Sequence, residues 1–94
     1  MTIYALSTPP GVSGIAIVRL SGNNSLTIAK DIVRGKIEKP RMALLKTLYD
    51  SKKEIIDEGI VIWYPKGQSY TGDDLVEFHV HGSKAVINKF LNEL

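Results

Sequence analysis

The chain of 94 residues contains no cysteine. Disulfide bonds, thiolate–zinc sites and catalysis by a cysteine nucleophile are therefore excluded. Disulfides accumulate in oxidising compartments, so a chain without them suits the reducing interior of a cell. The expected location is cytoplasmic.

Long hydrophobic runs are also lacking. The apolar stretches are far shorter than the roughly 20 residues that a membrane-spanning helix needs. The first residues lack the basic flank and extended apolar segment of a signal peptide. We therefore expect no membrane segment. The 44% hydrophobic and 23% charged composition is typical of one soluble globular domain over residues 1–94.

A dense block of charge of one sign is missing as well. The formal net charge is +2, and Lys52 and Lys53 are the only basic residues adjacent in sequence. A dedicated nucleic-acid-binding module usually has a denser basic patch. Weak contact with RNA or another anion stays open, but the charge does not argue for it.

Hydrophobic periodicity predicts seven elements. Alternating or β-branched runs predict five strands, and apolar stripes at helical spacing predict two helices. The predicted strands cover residues 2–6, 14–20, 43–50, 57–64 and 75–81, and the predicted helices cover residues 21–35 and 84–94. The order β-β-α-β-β-β-α favours an α+β domain with a mostly antiparallel sheet and two helices over a doubly wound parallel sheet.

The first predicted helix has signals at both ends. Ser21, Asn23 and Asn24 are residue types that cap helix N-termini. Arg34 suits the C-terminal dipole, and Gly35 suits the stop. The second helix differs, because its apolar stripe is still running at the last residue and no cap follows. We therefore expect a truncated domain with a natural continuation.

The stretch "PPGVSG" (9–14) precedes the second predicted strand. A P-loop carries a lysine and Ser/Thr after its last glycine, at the start of a helix. Here the glycines lead into a strand, and a dinucleotide fingerprint would need the reverse order of elements. A structural or ligand-shaping turn is therefore the better interpretation.

Arg19 is the one charge in the apolar run "GIAIVRL" (14–20). If Ile15, Ile17 and Leu20 are buried, this guanidinium needs a partner or a path to solvent. One interpretation is an edge position with the stem along the surface. The other is a guanidinium presented to an anionic or planar ligand, or to a carboxylate. The residues alone leave both open.

The segment "LVEFHVH" (75–81) alternates, with Val76, Phe78 and Val80 on one face and Glu77, His79 and His81 on the other. Glu77 either belongs to a solvated sheet face or lines a cleft, where a carboxylate accepts two N–H bonds from a planar heterocycle. His79 and His81 form half of a metal site, but the spacing fixes no third ligand. Histidine general-base catalysis likewise lacks a positioned partner.

Trp63 and Tyr64 end the fourth predicted strand, before Pro65. Large aromatic side chains are more often buried than presented as a stacking platform. We therefore expect this pair to belong to the core, with the stacking role as the alternative.

Several motifs, in order, resemble one known family. They are "IYALSTPPGVSGIAIVRLSG" (3–22), "KPR" (39–41) and "DEGIVIWYPKGQSYTGDDLVEFHVHG" (57–82). They resemble the N-terminal domain of the MnmE (TrmE) family of tRNA modification GTPases, and the match covers nearly the whole chain. The family often has Arg where this chain has Val12, Gly in place of Ser13 and Glu in place of Asp73.

The resemblance implies a fold and a function. The full-length relatives are GTP-binding hydrolases of tRNA processing that modify the wobble uridine of the anticodon together with a flavin-dependent partner protein. Their N-terminal domain resembles the folate-binding domain of glycine-cleavage aminomethyltransferase. It binds a tetrahydrofolate derivative, similar to 5-formyltetrahydrofolate, and makes the homodimer contact. Carried over by motif, the folate-binding residues would be Arg19 and Glu77, with no catalytic and no metal-binding residue.

The chain lacks the motifs for the rest of that activity. It has no Walker A lysine, no other GTPase motif and no C-terminal cysteine motif. GTP, magnesium and potassium would therefore bind in a GTPase domain outside these residues, and the fragment alone would be non-catalytic. Two alternatives remain: a dimerisation-only interaction domain, and a small metal-binding hydrolase that uses His79 and His81.

Overall fold

A computed structural model describes residues 2–6, 14–37, 39–67, 73–82 and 84–93. Its elements are β1 (Thr2–Leu6), β2 (Ile15–Gly22), α1 (Ser25–Val33), β3 (Leu44–Tyr49), β4 (Ile55–Tyr64), β5 (Leu75–His81) and α2 (Lys84–Glu93). The order of elements predicted from the sequence is confirmed. Most of the loops "PPGVSG" and "SYTGDD" lie outside the described residues, including positions 9–13 and 69–72.

The five strands form one sheet in the order β1-β2-β5-β4-β3. Every neighbouring pair is antiparallel, so the predicted α+β class with an antiparallel sheet is confirmed. The β2–β5 register runs from Ile15 opposite His81 to Ser21 opposite Leu75. The two strands that carry the sequence-predicted site residues are therefore direct neighbours in the middle of the sheet.

Both helices pack on the same face of the sheet, because each carries one apolar stripe that must be buried. Phe90 of α2 meets Phe78 of β5 edge to face, with ring centroids 4.9 Å apart and an interplanar angle of 81°. Val18 and Val61 flank Phe78 in the sheet register and are fully buried. Neither helix in the described residues has the length and apolarity needed to cross a lipid bilayer.

Helix α1 ends differently from the sequence-based expectation. Asn24 is the N-cap residue, but its side chain makes no capping hydrogen bond. At the other end Arg34, rather than Gly35, adopts the left-handed conformation, with φ 52° and ψ 46°. Contacts with the β3 end accompany this backbone: Arg34 Nη2 donates to the Asp50 carbonyl at 3.4 Å, and its guanidinium lies over the Tyr49 ring.

Strand β4 begins at Ile55, two residues before the predicted start. The register with β3 shifts there, since Leu48 lies opposite Asp57 and Tyr49 lies opposite Ile55. Ile56 is the extra residue of this β-bulge, and its side chain is buried in the core. The bulge turns an apolar side chain inward at a position that simple alternation places outside.

Candidate functional site

The sheet face opposite the helices carries a cluster of polar side chains from its central strands. Within the described ranges, no element covers this open face. Arg19 of β2 lies directly opposite Glu77 of β5, and His79 follows two residues along the same strand. We call Arg19, Glu77, His79 and Tyr64 the Glu77 cluster.

Glu77 is the centre of this cluster and is only 8% exposed. Arg19 Nε donates a hydrogen bond of 2.7 Å to Glu77 Oε2. His79 Nε2 lies 3.3 Å from Glu77 Oε1, and because an ionised carboxylate only accepts, the histidine N–H is the donor. Since β2 lies between β1 and β5, Arg19 is not at a sheet edge; it presents its guanidinium to a carboxylate.

The Glu77 carboxyl group is ionised at neutral pH despite its burial. Burial disfavours the charged form, but hydrogen bonds and positive charge from Arg19 and His79 outweigh it and hold the pKa of Glu77 below its ordinary value of 4.5. The open face therefore has a fixed negative charge at its centre, with a permanent cation beside it.

Tyr64, at the end of β4, lies on the open face and not in the core, so the expectation that it packs there with Trp63 is wrong. Burial, the charge of Glu77 and a side-chain hydrogen bond with Glu77 raise the pKa of the Tyr64 hydroxyl. The hydroxyl is therefore neutral at neutral pH. Trp63 points the other way and packs against the core, as expected, and its buried Nε1 has no hydrogen-bond partner among the described residues.

A shallow groove of about 270 Å³ lies on the same face, next to the cluster. Ile15, Leu45 and Ile60 contribute apolar lining, and His79 belongs to both the groove and the cluster. Ile15 and Leu45 are among the most exposed large apolar side chains of the described residues, at 58% and 64%. The open face thus combines a charged centre with an apolar depression beside it.

The two histidines of β5 do not converge on one site. His81 Nδ1 lies 2.8 Å from Asp57 Oδ1, and its backbone N–H donates to Asp57 Oδ2 at 2.8 Å, whereas His79 contacts Glu77. In the described part of the chain, no three His, Asp or Glu side chains are grouped so that they could hold a metal ion. The described residues therefore offer no third metal ligand in support of the metal-binding hydrolase alternative.

Asp74 fixes the start of β5 relative to its neighbours. Its carbonyl accepts the Gly22 N–H at 2.9 Å, and its Oδ1 accepts the Lys66 N–H at 2.8 Å. One residue thus connects the end of β2 with the turn after β4. The register that brings Arg19 to Glu77 begins immediately after this anchor.

Comparison with known proteins identifies the family. The family model described as "GTP-binding protein TrmE N-terminus" matches residues 2–94. A tRNA modification GTPase MnmE of Pelagibacter ubique is 52% identical over 94% of this chain and 20% of its own length. The corresponding protein of the Wolbachia of Brugia malayi is 50% identical over 99% of this chain and 21% of its own length.

The similarity extends to a eukaryotic organelle. A mitochondrial tRNA modification GTPase of Schizosaccharomyces pombe is 45% identical over 99% of this chain and 19% of its own length. The chain thus spans about a fifth of the length of these relatives. On the strength of a match that runs from residue 2 to residue 94, the chain belongs to the TrmE N-terminal domain family.

Proposed function

We propose that this chain is the N-terminal tetrahydrofolate-binding and dimerisation module of a GTP-hydrolysing enzyme that modifies the wobble uridine of tRNA anticodons. The relatives are named tRNA modification GTPases, which supports the GTPase and tRNA parts of the proposal. GTP hydrolysis and the contact with a flavin-dependent partner protein are assigned to the parts of the enzyme outside this chain. The module supplies a cofactor and a self-contact.

The observation that carries the folate assignment is the buried, ionised Glu77 on an open sheet face. Its two oxygens can accept the N–H groups along one edge of a pterin ring, which is planar and rich in donors. Arg19, beside it, can meet acceptor atoms of the ring or the anionic tail of the cofactor. A carboxylate on a purely structural sheet face is rarely buried to this extent.

The acceptor capacity of Glu77 limits how a ring can bind. A carboxylate has about four lone-pair sites, and Arg19 and His79 already donate to it. The His79 contact, at 3.3 Å, is longer than the 2.7 Å bond from Arg19. Arg19 contacts Oε2 and His79 contacts Oε1, so each oxygen keeps an acceptor site for one N–H of the ring.

The neighbouring groove suits the less polar part of such a cofactor. At about 270 Å³ it is a little smaller than the roughly 300–1,000 Å³ of typical small-molecule sites. Its Ile15, Leu45 and Ile60 side chains offer apolar surface for a fused ring or for an aromatic linker. The cofactor supplies one-carbon chemistry when bound; these residues bind and orient it.

Isothermal titration of the chain with 5-formyltetrahydrofolate tests the folate assignment. Arg19→Ala and Glu77→Gln should each weaken binding by at least tenfold, since hydrogen bonds to charged groups contribute about 1.5–3 kcal/mol. The matched control is Glu54→Gln, which removes an exposed carboxylate just before β4, outside the groove. Unchanged affinity in both Glu77→Gln and Arg19→Ala would falsify the site assignment.

The interaction-domain alternative is separated by a second measurement. Several large apolar side chains are exposed, which suits contact with another copy of the chain. Sedimentation velocity, with and without 5-formyltetrahydrofolate, reports the self-contact directly. A dimer without any folate binding would favour the dimerisation-only alternative, whereas a monomer at all concentrations that still binds folate would remove dimerisation from the proposal.

A further inference from the structure

A second cavity, of about 240 Å³, lies at the β3 edge of the sheet. Among the described residues, its lining consists of Lys36, Lys39, Met42, Leu44 and Lys46. Three of these five residues are cationic and none is acidic. The loop after α1 supplies Lys36 and Lys39, and β3 supplies Lys46, so the fold gathers lysines that are ten positions apart in sequence.

These three lysines have no ion-pair or hydrogen-bond partner for their side chains in the described residues. The acidic side chains that are paired there, among them Glu77, Asp57 and Asp50, contact other groups. Three ammonium groups at one cavity give it a positive potential, which favours an anion as its ligand.

The charge of the whole chain is concentrated around this cavity. Residues 36–46 contain Lys36, Lys39, Arg41 and Lys46 with one acidic residue, Glu38, a net charge of +3. The complete chain carries +2, so the remaining residues are together slightly acidic. The positive field of the protein therefore centres on this segment, and a polyanion approaching it is steered there.

The backbone holds the cavity in place. Arg41 adopts a left-handed conformation, with φ 61°, and its N–H donates to the Trp63 carbonyl at 2.7 Å. This bond ties the turn between Lys39 and Met42 to the end of β4. Lys46 lies in the β3–β4 ladder opposite Gly59. Ordered elements therefore position lysines on both sides of the cavity, and Met42 and Leu44 provide an apolar wall.

We propose that the lysine cavity (Lys36, Lys39 and Lys46) binds a phosphodiester group of an RNA backbone. The choice of RNA rests on the proposed function, because the relatives are named for acting on tRNA. Lysine is a point-charge donor that binds phosphate without reading the base, so this contact positions RNA and gives no sequence specificity.

The cavity is separate from the folate-binding surface. Lys46 shares the sheet face of Gly59 and Val61, which is the helix-covered face, whereas Glu77 is on the open face. Strand β3 is two strands from β5, a spacing of about 10 Å. RNA and folate can therefore be bound at the same time, and each can be lost without the other.

The test is fluorescence anisotropy of a labelled RNA hairpin of anticodon stem-loop size, titrated with the intact chain. The variant is Lys36→Gln/Lys39→Gln/Lys46→Gln. The matched control, Lys30→Gln/Lys52→Gln/Lys66→Gln, removes the same charge from exposed positions outside the cavity. The cavity variant should weaken binding by about tenfold or more at 0.1 M salt, and lower the slope of log K against log salt by about 1, the value for one phosphate contact. The control should change both much less.

Competition and folate titration separate the remaining outcomes. Sodium phosphate, compared with sodium chloride at equal ionic strength, should displace the hairpin from the wild type more than from the cavity variant. Equal RNA affinity in the cavity and control variants would overturn the proposal, as would tighter binding of free phosphate than of RNA.

The cavity variant should keep the wild-type affinity for 5-formyltetrahydrofolate. A cavity variant that loses RNA binding but still binds folate would support the proposed RNA site. A wild-type chain that binds RNA but not folate would contradict the folate assignment and leave the RNA site intact.

Discussion

Arg19 and Glu77 face each other across the β2–β5 ladder, and Arg19 Nε donates a hydrogen bond of 2.7 Å to Glu77 Oε2. The two residues are 58 positions apart in sequence. Each would be a costly misfit alone, because one is a cation in an apolar strand and the other a buried carboxylate. Together they make the centre of the open face a defined, charged acceptor.

Replacing Arg19 should raise the pKa of Glu77. In Arg19→Met the burial of the carboxyl group stays while its strongest donor is lost, so the balance shifts towards the protonated form. Carbon-detected NMR titration of the Glu77 carboxyl measures this directly. Lys30→Met, a loss of charge on the exposed side of α1, should leave Glu77 unaltered. A Glu77 titration that stays at its wild-type position in Arg19→Met would contradict the dominant role of Arg19.

Stability should fall as the pH is lowered, in a window set by two carboxylates. The folded pKa of Glu77 lies below its ordinary 4.5, and that of Asp50 lies below 3.8, chiefly because of the Glu54 backbone N–H. A lowered folded pKa gives stability that is complete above the ordinary value and is lost as the pH falls through the folded one. Urea unfolding at a series of pH values checks this.

The variant Glu77→Gln isolates one of the two contributions. Its free energy of unfolding should depend less steeply on pH below about 4.5 than that of the wild type, and the remaining slope should reflect Asp50. Glu58→Gln, at an exposed position, should leave the slope unchanged. A Glu77→Gln protein with the wild-type pH profile would show that Glu77 has the same pKa in the folded and unfolded chain.

Truncating Phe90 should be among the most destabilising single changes. Its ring is completely buried against Phe78 and joins α2 to the sheet. Phe90→Ala should lower the free energy of unfolding by about 3–5 kcal/mol, the range for large aromatic truncations in cores. Asn92→Ala, at an exposed position of the same helix, is the control for helix propensity. Urea denaturation measures this loss. A loss in the free energy of unfolding below about 1 kcal/mol would contradict the prediction and mean that α2 is loosely packed.

Gly59 should not tolerate even a methyl group. A Cβ at this position would overlap the backbone carbonyl oxygen of His79 in the neighbouring strand, which cannot move away without disturbing the β4–β5 ladder. Gly59→Ala should therefore destabilise the chain by about 1–3 kcal/mol. Gly35→Ala, whose added Cβ would meet only ordinary contacts, serves as the control in the same thermal melt. Equal melting temperatures for the two variants would refute the close approach.

The element order was predictable because local periodicity determines it. The alternation of residues 75–81 placed Val76, Phe78 and Val80 in the core, and all three are buried. The sequence predicted that α1 ends near residues 34–35, but not which residue adopts the left-handed conformation. That residue is Arg34, whose side chain contacts Tyr49 and Asp50, and these are distant in sequence. The bulge at Ile56 is likewise a property of the strand pair and not of β4 alone.

The sequence indicated two unusual charged residues in apolar strands, but it did not indicate that they pair in one cluster. Arg19 and Glu77 stand out by type, whereas their pairing depends on a register between strands far apart in the chain. Tyr64 carried no such signal, because an aromatic residue at a strand end also suits a core. Its position near Glu77 follows from the β4–β5 register, in which Ile62 lies opposite Glu77 and Tyr64 opposite Leu75.

The sheet order has a consequence for how the protein is made. β2 leaves the ribosome with β1 as its only neighbour, and its second partner, β5, is complete only at His81, 59 residues after Gly22. At 5–20 residues per second this is a wait of roughly 3 to 12 s. During this interval Arg19 has no Glu77 to meet, and the apolar edge of β2 is open to other chains. The nascent β1–β2 hairpin therefore has an unpaired strand edge of the kind that promotes aggregation until β5 has been made.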